Sequence, residues 1–158
     1  MIAWIGIGAN LGDARASVAD ALDRLSRLPD SVAVTASSLY RTAPIDSSGD
    51  DYINAVAAID TRLAPHALLE ALLGIEQDHG RERPYRNPPR TLDLDLLLYG
   101  HQVIHDAPTL VVPHPRMHER AFVLAPLAEL APELSIPGRG RVADLLPGVA
   151  AQAIERLR

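Results

Sequence analysis

The sequence predicts an α/β fold of the α+β kind, built on an antiparallel sheet. Two segments place apolar residues at helical spacing, and four others have the length, alternation or β-branched composition of strands. Their order along the first hundred residues is strand, helix, strand, strand, helix, strand. That order predicts the ferredoxin-like β-α-β-β-α-β core, in which both helices cover one face of the sheet. The other face remains for C-terminal segments or for a ligand.

The first half of the chain supplies four of these elements. Residues 2–8 are an apolar run that predicts the first strand. Asp13 is a good N-cap for the helix that follows, and Pro29 with Asp30 would stop that helix. The β-branched, Ser-rich segment 32–42 predicts the second strand, and the alternating segment 52–63 predicts the third.

The second helix and the fourth strand follow. Pro65 suits the first turn of the helix, and Gly80 would end it. Residues 90–100, which read RTLDLDLLLYG, predict the strand. A turn at Gly100 could connect this strand to residues 102–104, so that the two form a hairpin.

The C-terminal part predicts further helices and short strands. One helix is expected over residues 116–130, interrupted at Pro126, and a last helix near 149–157. No linker, repeat or low-complexity tract divides the chain, so residues 1–158 are expected to form a single domain.

Composition excludes several chemistries. The chain has no cysteine, which excludes disulfides, thiolate metal sites and cysteine nucleophiles. All 15 basic residues are Arg, so there is no Walker A lysine and no Schiff-base lysine. A net charge of −5 argues against nucleic-acid or acidic-membrane partners. The N-terminal apolar run is too short for a signal sequence or a membrane span, and a cytoplasmic monomer is expected.

Two aspartates in the fourth strand are the first candidate site. Asp93 and Asp95 are two residues apart, so their side chains would share one face, while Leu92, Leu94 and Leu96 would point to the other. Mg²⁺ takes oxygen ligands, commonly one or two carboxylates completed by phosphate oxygens and water, and two metals would fit such a pair. The alternative is an edge strand whose aspartates face solvent.

The preceding segment, GRERPYRNPPR, is rich in arginine. Arg81, Arg83, Arg86 and Arg90 lie within ten residues beside one acid, Glu82. Guanidinium groups match phosphate oxygens, so arginines next to paired aspartates indicate a metal and a polyphosphate. The alternative is a solvated loop whose arginines pair with surface acids.

Two further patterns are less specific. His114 and His118 are four residues apart, which on a helix could bind Zn²⁺, but Pro115 would place His114 before the helix. Additional positive charge for a phosphate tail is the preferred interpretation. The stretch GIGANLG fails the dinucleotide-binding fingerprint, because Leu11 stands where glycine is needed.

Long stretches of the chain together resemble a known enzyme family, 6-hydroxymethyl-7,8-dihydropterin pyrophosphokinase of folate biosynthesis. They cover nearly the whole chain in the family's order: IGIGANLGD, YRTAPI, DYINA, GRERPYRNPPRTLDLDLLLYG and VPHPRMHERAFVLAPLAELAPEL. The resemblance implies transfer of pyrophosphate from ATP to the hydroxymethyl group of the pterin, with release of AMP. It also implies two Mg²⁺ ions as cofactors, and ATP and the pterin as partners.

The resemblance implies roles for particular residues. Asp93 and Asp95 match the metal ligands, and Asp95 also matches the carboxylate that approaches the attacking hydroxyl. The implied catalytic residues are Arg81, Arg83, Arg90 and Asp95. The implied ATP-binding residues are Glu76, Arg81, Arg83, Arg90, His114 and Arg120. The implied pterin-binding residues are Thr42, Pro44, Ile45, Tyr52, Asn54, Asp93 and Phe122.

The chain departs from the best-known members within the arginine segment, where Asn87 replaces a Trp and the segment is one residue shorter. Residues 81–89 are expected to close over both substrates. Two alternatives remain at this point: another Mg²⁺-dependent phosphotransferase, or a nucleotide- or pterin-binding module without turnover. Asp93, Asp95 and Arg90 favour an enzyme, since binding alone would not require so much charge.

Overall fold

The structure is a computed structural model that describes residues 1–10, 13–43, 51–80 and 92–157. Its first seven elements are β1 (Ile2–Ala9), α1 (Ala14–Ser26), β2 (Ser31–Ala36), β3 (Tyr40–Thr42), β4 (Tyr52–Thr61), α2 (Pro65–Gly80) and β5 (Asp93–Tyr99). The predicted β-α-β-β-α-β order is confirmed, with its second strand divided into β2 and β3.

Shorter elements follow β5. They are β6 (Ile104–Asp106), β7 (Leu110–Val112), a 3-10 turn (Met117–Glu119), α3 (Ala121–Leu130), β8 (Ser135–Ile136), β9 (Gly140–Arg141), α4 (Val142–Leu145), a second 3-10 turn (Leu146–Val149) and β10 (Glu155–Arg156). No helix within the described parts of the chain is both long and apolar enough to cross a membrane.

One antiparallel sheet organises the fold. Its strand order is β10-β3-β4-β1-β5, and β2 also pairs with β4, beyond the end of β3. β6 pairs with β7, and β8 pairs with β9, as separate two-stranded sheets. Because β1 and β4 are central in the sheet, residues 53–59 of β4 are buried on both faces.

The first face of the sheet is covered by α1 and α2. Ile5 of β1 and Leu94 of β5 pack there with Val18 of α1 and Leu72 of α2 in one apolar cluster. The N terminus of α1 is capped as predicted, because Asp13 Oδ1 accepts a hydrogen bond from the Ala16 N–H at 3.0 Å. Packing of both helices on one face is what the sequence predicted.

The second face is partly covered by α3. Trp4 and Val56 project from the sheet into a second cluster with Leu124 and Leu127 of α3. The C-terminal segments return to this side, and β10 extends the sheet by pairing with β3. Among the described residues, no element covers the part of the second face beyond the N terminus of α3, and the candidate site lies there.

The C-terminal end of α3 is tied to the β2–β3 junction through Glu129. Each of its carboxylate oxygens accepts the Ser38 N–H at 3.0 Å, and Oε1 accepts the Tyr40 hydroxyl at 2.7 Å. Arg156 Nη2 of β10 lies 3.4 Å from Oε2. Burial opposes ionisation of Glu129, but these hydrogen bonds and Arg156 outweigh it and lower the pKa of the carboxyl group. Burial and the Glu129 carboxylate raise the pKa of Tyr40 to about 12.

Several predicted boundaries are wrong. Segment 32–42 is two strands, because Ser37 turns to bond Val56 of β4: its N–H donates to the Val56 carbonyl at 2.8 Å, and its Oγ accepts the Val56 N–H at 3.0 Å. The expected hairpin of β5 with residues 102–104 does not form, since β6 pairs with β7 instead. The chain does turn at Gly100, whose φ is 57°.

The two predicted C-terminal helices also differ. The interruption falls at Arg120, whose backbone is extended (φ −121°, ψ 118°), while Pro126 is accommodated as a buried residue within α3. Residues 149–157 are not a helix. Pairing of β10 with β3, together with the hydrogen bond from the Leu157 N–H to the Leu39 carbonyl at 2.8 Å, replaces it.

Candidate functional site

A cavity of about 370 Å³ lies on the second face of the sheet, where β1, β3, β4 and β5 meet the N terminus of α3. Its described lining is Gly6, Ile7, Gly8, Thr42, Ala43, Tyr52, Asn54, Ala55, Asp93, Asp95, Arg120, Phe122 and Val123. This size is that of a small-molecule site. Seven of the residues singled out in the sequence therefore meet in one cavity.

Strand register builds the floor of the cavity in rows. Gly8 of β1 lies between Asn54 of β4 and Asp93 of β5, and Gly6 lies between Val56 and Asp95 in the next row. The two glycines leave the floor without side chains between the amide and the carboxylates. This role of the glycines was not predicted from the sequence, although the G-x-G spacing puts both glycines on one face of a strand.

The carboxylates lie as the alternation of β5 predicted. Asp93 and Asp95 are half-buried and face the cavity, whereas Leu94 and Leu96 are buried in the first cluster on the opposite face. Beyond them the strand is irregular: Trp4 pairs with Leu98 and Ile5 with Leu96, so one residue of β5 is extra. This β-bulge places an apolar segment under α3 directly after the acidic one.

The side of the cavity formed by β4 carries an amide. Asn54 is 4% exposed, and its Nδ2 donates to Thr42 Oγ1 at 2.9 Å. That bond fixes which edge of the Asn54 amide faces Thr42 and orients its Oδ1 towards Gly8. Tyr52 of the same strand and Phe122 of α3 also line the cavity. A flat heterocycle with hydrogen-bond donors on its edge would match such a recess.

Positive charge approaches the carboxylates from the segment before α3. The Arg120 guanidinium carbon lies 5.3 Å from the centroid of the Phe122 ring, a cation–π arrangement. His114 is anchored by its N–H, which donates to the Leu97 carbonyl at 2.9 Å, and its Nδ1 accepts the Arg116 N–H at 3.2 Å.

The ionisation of His114 reflects these neighbours. Burial is the main effect and lowers the pKa of His114, the Asp95 carboxylate acts in the opposite direction, and the charges of Arg120 and Arg116 lower it further. The ring is therefore held towards its neutral form, with its Nδ1 used as an acceptor. It can donate from Nε2 to an oxygen atom of a ligand.

Glu76 does not line the described cavity. It lies on α2, and its Oε2 accepts the Leu94 N–H at 2.7 Å, on the outer edge of β5 between the two aspartates. Its contribution within the described structure is to hold that edge of β5. His114 is also absent from the described lining, although its charge environment includes Asp95.

Five predicted site residues, Pro44, Ile45, Arg81, Arg83 and Arg90, lie outside the described residues. Residues 81–89, which were expected to close over both substrates, also lie outside them.

The donor set of the cavity suits a hard divalent cation. Asp93 and Asp95 offer carboxylate oxygens, and no described group of three or more His, Cys, Asp or Glu side chains could enclose a metal ion alone. A cation held here would complete its ligands with water and phosphate oxygens, which is the usual arrangement for Mg²⁺. The two carboxylates therefore fit a metal that arrives with a polyphosphate.

Residues 4–132 match the family described as 7,8-dihydro-6-hydroxymethylpterin-pyrophosphokinase. The chain is 46% identical over 155 residues to a 2-amino-4-hydroxy-6-hydroxymethyldihydropteridine pyrophosphokinase of Pseudomonas aeruginosa, covering 98% of this chain and 95% of that protein. It is 44% identical over 156 residues to the protein of the same name from Methylorubrum extorquens, covering 98% of each.

Solved structures agree at the level of the fold. The structure of a Plasmodium falciparum HPPK-DHPS variant with SDX-DHP superposes with a TM-score of 0.74 at 15% sequence identity. The alignment covers 92% of this chain but 45% of that longer one. With the family match extending over most of its length and two relatives above 40% identity, this chain belongs to the 7,8-dihydro-6-hydroxymethylpterin-pyrophosphokinase family of enzymes.

Proposed function

We propose that this protein transfers the terminal pyrophosphate of ATP to the hydroxymethyl group of 6-hydroxymethyl-7,8-dihydropterin and releases AMP. The observation that carries the proposal is the division of one cavity between two chemistries. Asp93 and Asp95 of β5 lie on one side of Gly6 and Gly8 and Asn54 of β4 lies on the other, and two aromatic side chains, Tyr52 and Phe122, line the same cavity. Such a cavity can hold a polyphosphate and a flat heterocycle next to each other.

The carboxylates are proposed to bind two Mg²⁺ ions. Members of this family use ATP and generally need a divalent metal, and Asp93 and Asp95 are the described carboxylates that face the cavity. Bound divalent cations would neutralise polyphosphate charge and orient the reacting phosphoryl group. Because Asp93 and Asp95 occupy consecutive positions on the same face of β5, one strand presents both carboxylates to the cavity.

The pterin is proposed to occupy the amide end. Asn54 would accept hydrogen bonds through Oδ1 from donors on the edge of the pterin, while its Nδ2 stays on Thr42. Tyr52 and Phe122 would stack against the ring faces, and Asp93 would reach the same ligand. Pro44 and Ile45 are proposed to add contacts to the pterin edge, as the family resemblance implies.

The nucleotide is proposed to lie towards Arg120 and His114. Arg120 supplies positive charge at the cavity, and neutral His114 supplies a donor next to Asp95. Glu76 would contribute on the outer side of β5, where it already holds the Leu94 N–H. Arg81, Arg83 and Arg90 are proposed to bind phosphate oxygens and to complete the site when both substrates are present.

The reaction balances with these residues. The hydroxyl oxygen of the pterin forms a bond to the β-phosphorus of ATP, and the bond from that phosphorus to the bridging oxygen on the α-phosphate breaks. AMP leaves with that oxygen, and Asp95 is proposed to take the hydroxyl proton. Arginine side chains would stabilise the charge that develops on the transferred group.

Three broader proposals accompany this one. Residues 1–158 would form one domain, supported by the single sheet that both apolar clusters share. The protein would also act as a monomer in the cytoplasm, as expected from the sequence. Sedimentation at several concentrations measures the first of these two properties, and fractionation of cells measures the second.

Formation of AMP tests the activity. Purified protein with ATP, Mg²⁺ and the pterin should produce AMP and the pterin diphosphate in equal amounts, and omission of the pterin should abolish both. An Asp95→Asn variant should bind both substrates but form little product. If the wild-type protein binds both substrates without forming AMP, it is a binding module and the proposal is wrong.

A further inference from the structure

The segment that brings Arg120 and Phe122 to the cavity contains an abrupt change of backbone direction. Residue 120 is extended between the 3-10 turn of Met117–Glu119 and helix α3, which begins at Ala121. The Arg120 side chain makes no capping hydrogen bond to α3. Backbone N–H groups in the first turn of a helix need other partners, so the start of α3 depends on groups from elsewhere.

A glutamine far along the chain supplies that partner. Gln152 Oε1 accepts the Ala121 N–H at 2.9 Å, and Gln152 Nε2 donates to the Glu119 carbonyl at 2.7 Å. One side-chain amide therefore bonds the peptide groups on both sides of Arg120. A carboxamide is suited to this, because it carries a donor and an acceptor on one rigid plane.

We infer that Gln152 is a positioning residue for the cavity. By holding the peptide groups on both sides of Arg120, it sets the direction of the Arg120 and Phe122 side chains. This inference rests on the proposed function. Both of these side chains line the cavity, and the guanidinium group lies over the ring. A rotation of the backbone at residue 120 would move the two together.

The rest of α3 is anchored without Gln152. Glu129 holds its C-terminal end to Ser38 and Tyr40, and Leu124 and Leu127 are buried in the second cluster. Loss of the glutamine should therefore release the N-terminal turn of α3 and leave the helix packed. This separates a positioning role from a role in overall stability.

Two substitutions distinguish the two hydrogen bonds. Gln152→Ala removes both of them. Gln152→Glu keeps an acceptor for the Ala121 N–H, which a negative charge at a helix N terminus favours, but it loses the donor to the Glu119 carbonyl. Gln152→Glu should thus leave α3 packed while disturbing Arg120, because a carboxylate oxygen would then face the Glu119 carbonyl oxygen. Gln102→Ala, at an exposed glutamine away from the cavity, is the matched control.

The composition of the chain provides a direct spectroscopic readout. Phe122 is the single phenylalanine and Trp4 the single tryptophan. Incorporated 4-fluorophenylalanine therefore gives one fluorine resonance, which reports the surroundings of residue 122. Trp4 is buried in the cluster under α3, so its fluorescence reports whether each variant remains packed.

The experiment records the fluorine spectrum, the Trp4 emission and the pterin dissociation constant of each variant in complex with a non-hydrolysable ATP analogue. In both Gln152 variants we expect a displaced or broadened resonance, native-like emission, and a loss of kcat/KM on the order of ten- to a hundredfold with correspondingly weaker pterin binding. The Gln102→Ala variant should match the wild type.

An unchanged resonance in both Gln152 variants would overturn the inference, and so would a displaced resonance with unchanged pterin binding and turnover. If Gln152→Ala fails to fold, Gln152→Glu decides the question. A wild-type protein that does not bind the pterin contradicts the proposed function instead, while the fluorine spectra still show whether Gln152 orients Phe122.

Discussion

Asn54 of β4 and Gly8 of β1 face each other across the floor of the cavity, and a methyl group added at Gly8 would lie 3.1 Å from Asn54 Oδ1. A contact of this length is tighter than most, so the Asn54 amide would have to shift by a few tenths of an ångström, which would strain its hydrogen bond to Thr42. The absence of a side chain at Gly8 is therefore a condition for the orientation of the amide.

The first prediction follows from that contact. Gly8→Ala should weaken pterin binding by about tenfold or more, which corresponds to about 1.4 kcal/mol, because Asn54 Oδ1 is displaced. The control is Gly74→Ala in α2, where the new methyl group has nothing within 4 Å. That variant should gain about 0.5–1 kcal/mol of stability from helix propensity and bind the pterin normally. Calorimetric titration measures the pterin affinity of the wild type and of both variants. Equal affinity in all three proteins would contradict the account of Gly8.

The second prediction concerns the carboxylates of β5. Asp93→Asn or Asp95→Asn should lower kcat by about 10²–10³-fold or more, the scale seen when an electrostatic catalytic group is lost. Asp23→Asn, on the exposed side of α1, is the control for removing a negative charge. Turnover is measured at saturating Mg²⁺. Near-normal turnover in both aspartate variants of β5 would contradict the assignment of these residues as metal ligands.

Phe122 provides the third prediction. Phe122→Ala should reduce pterin affinity by about 1–3 kcal/mol, by analogy with bases stacked on aromatic side chains, and it also removes the ring beneath Arg120. Phe122→Tyr keeps the ring and should retain most of the affinity. Pterin titration of the ATP-analogue complex compares the three proteins. If the alanine variant binds as tightly as the tyrosine variant, the pterin lies elsewhere.

The fourth prediction concerns pH and stability. The lowered pKa of Glu129 means that its contribution to stability is present above the pKa of the unfolded carboxyl group and is lost as pH falls through the lower folded value. Glu129→Gln should cost about 1.5–3 kcal/mol at pH 7, the range for hydrogen bonds to charged groups. This difference should shrink in acid. For Tyr40, whose pKa is raised to about 12, the contribution is complete at neutral pH and is lost as pH rises towards that value.

Denaturant unfolding at a series of pH values measures the Glu129 effect. Glu70→Gln, at an exposed glutamate of α2, is the control and should leave the pH profile of the wild type unchanged. A Glu129→Gln penalty that is the same at pH 7 and in acid would show that packing, and not the ionised carboxylate, holds α3 to the sheet.

The sequence predicted those features that depend on neighbouring residues along the chain. The positions of Asp93 and Leu94 on opposite faces follow from strand alternation alone, and the cap at Asp13 follows from one residue and the helix after it. The fold class could also be predicted from the sequence, since it depends on the order of the helices and strands. Family resemblance, and not periodicity, identified Tyr52 and Phe122 as parts of one cavity.

The features that were missed depend on residues distant in sequence. The role of Gly8 requires the register of β1 with both β4 and β5, which no local pattern reveals. Gln152 lies 31 residues from Ala121 and is one of several exposed polar residues in an irregular segment. The helix expected over 149–157 is absent because pairing with β3 outweighs weak local preference.

The pairing of β10 with β3 has a consequence for how the protein is made. Translation delivers β1 to β5 first, and these strands can assemble with α1 and α2 while later residues are still being added. Tyr40 can pair with Arg156 only after β10 has been synthesised, and the peptide groups beside Arg120 can bond Gln152 only after that residue has been added. We therefore expect a nascent chain to acquire its sheet early and its ligand-binding competence late. Ribosome-bound chains arrested before and after emergence of Arg156 would reveal this order, since pterin binding should begin only with the longer chain.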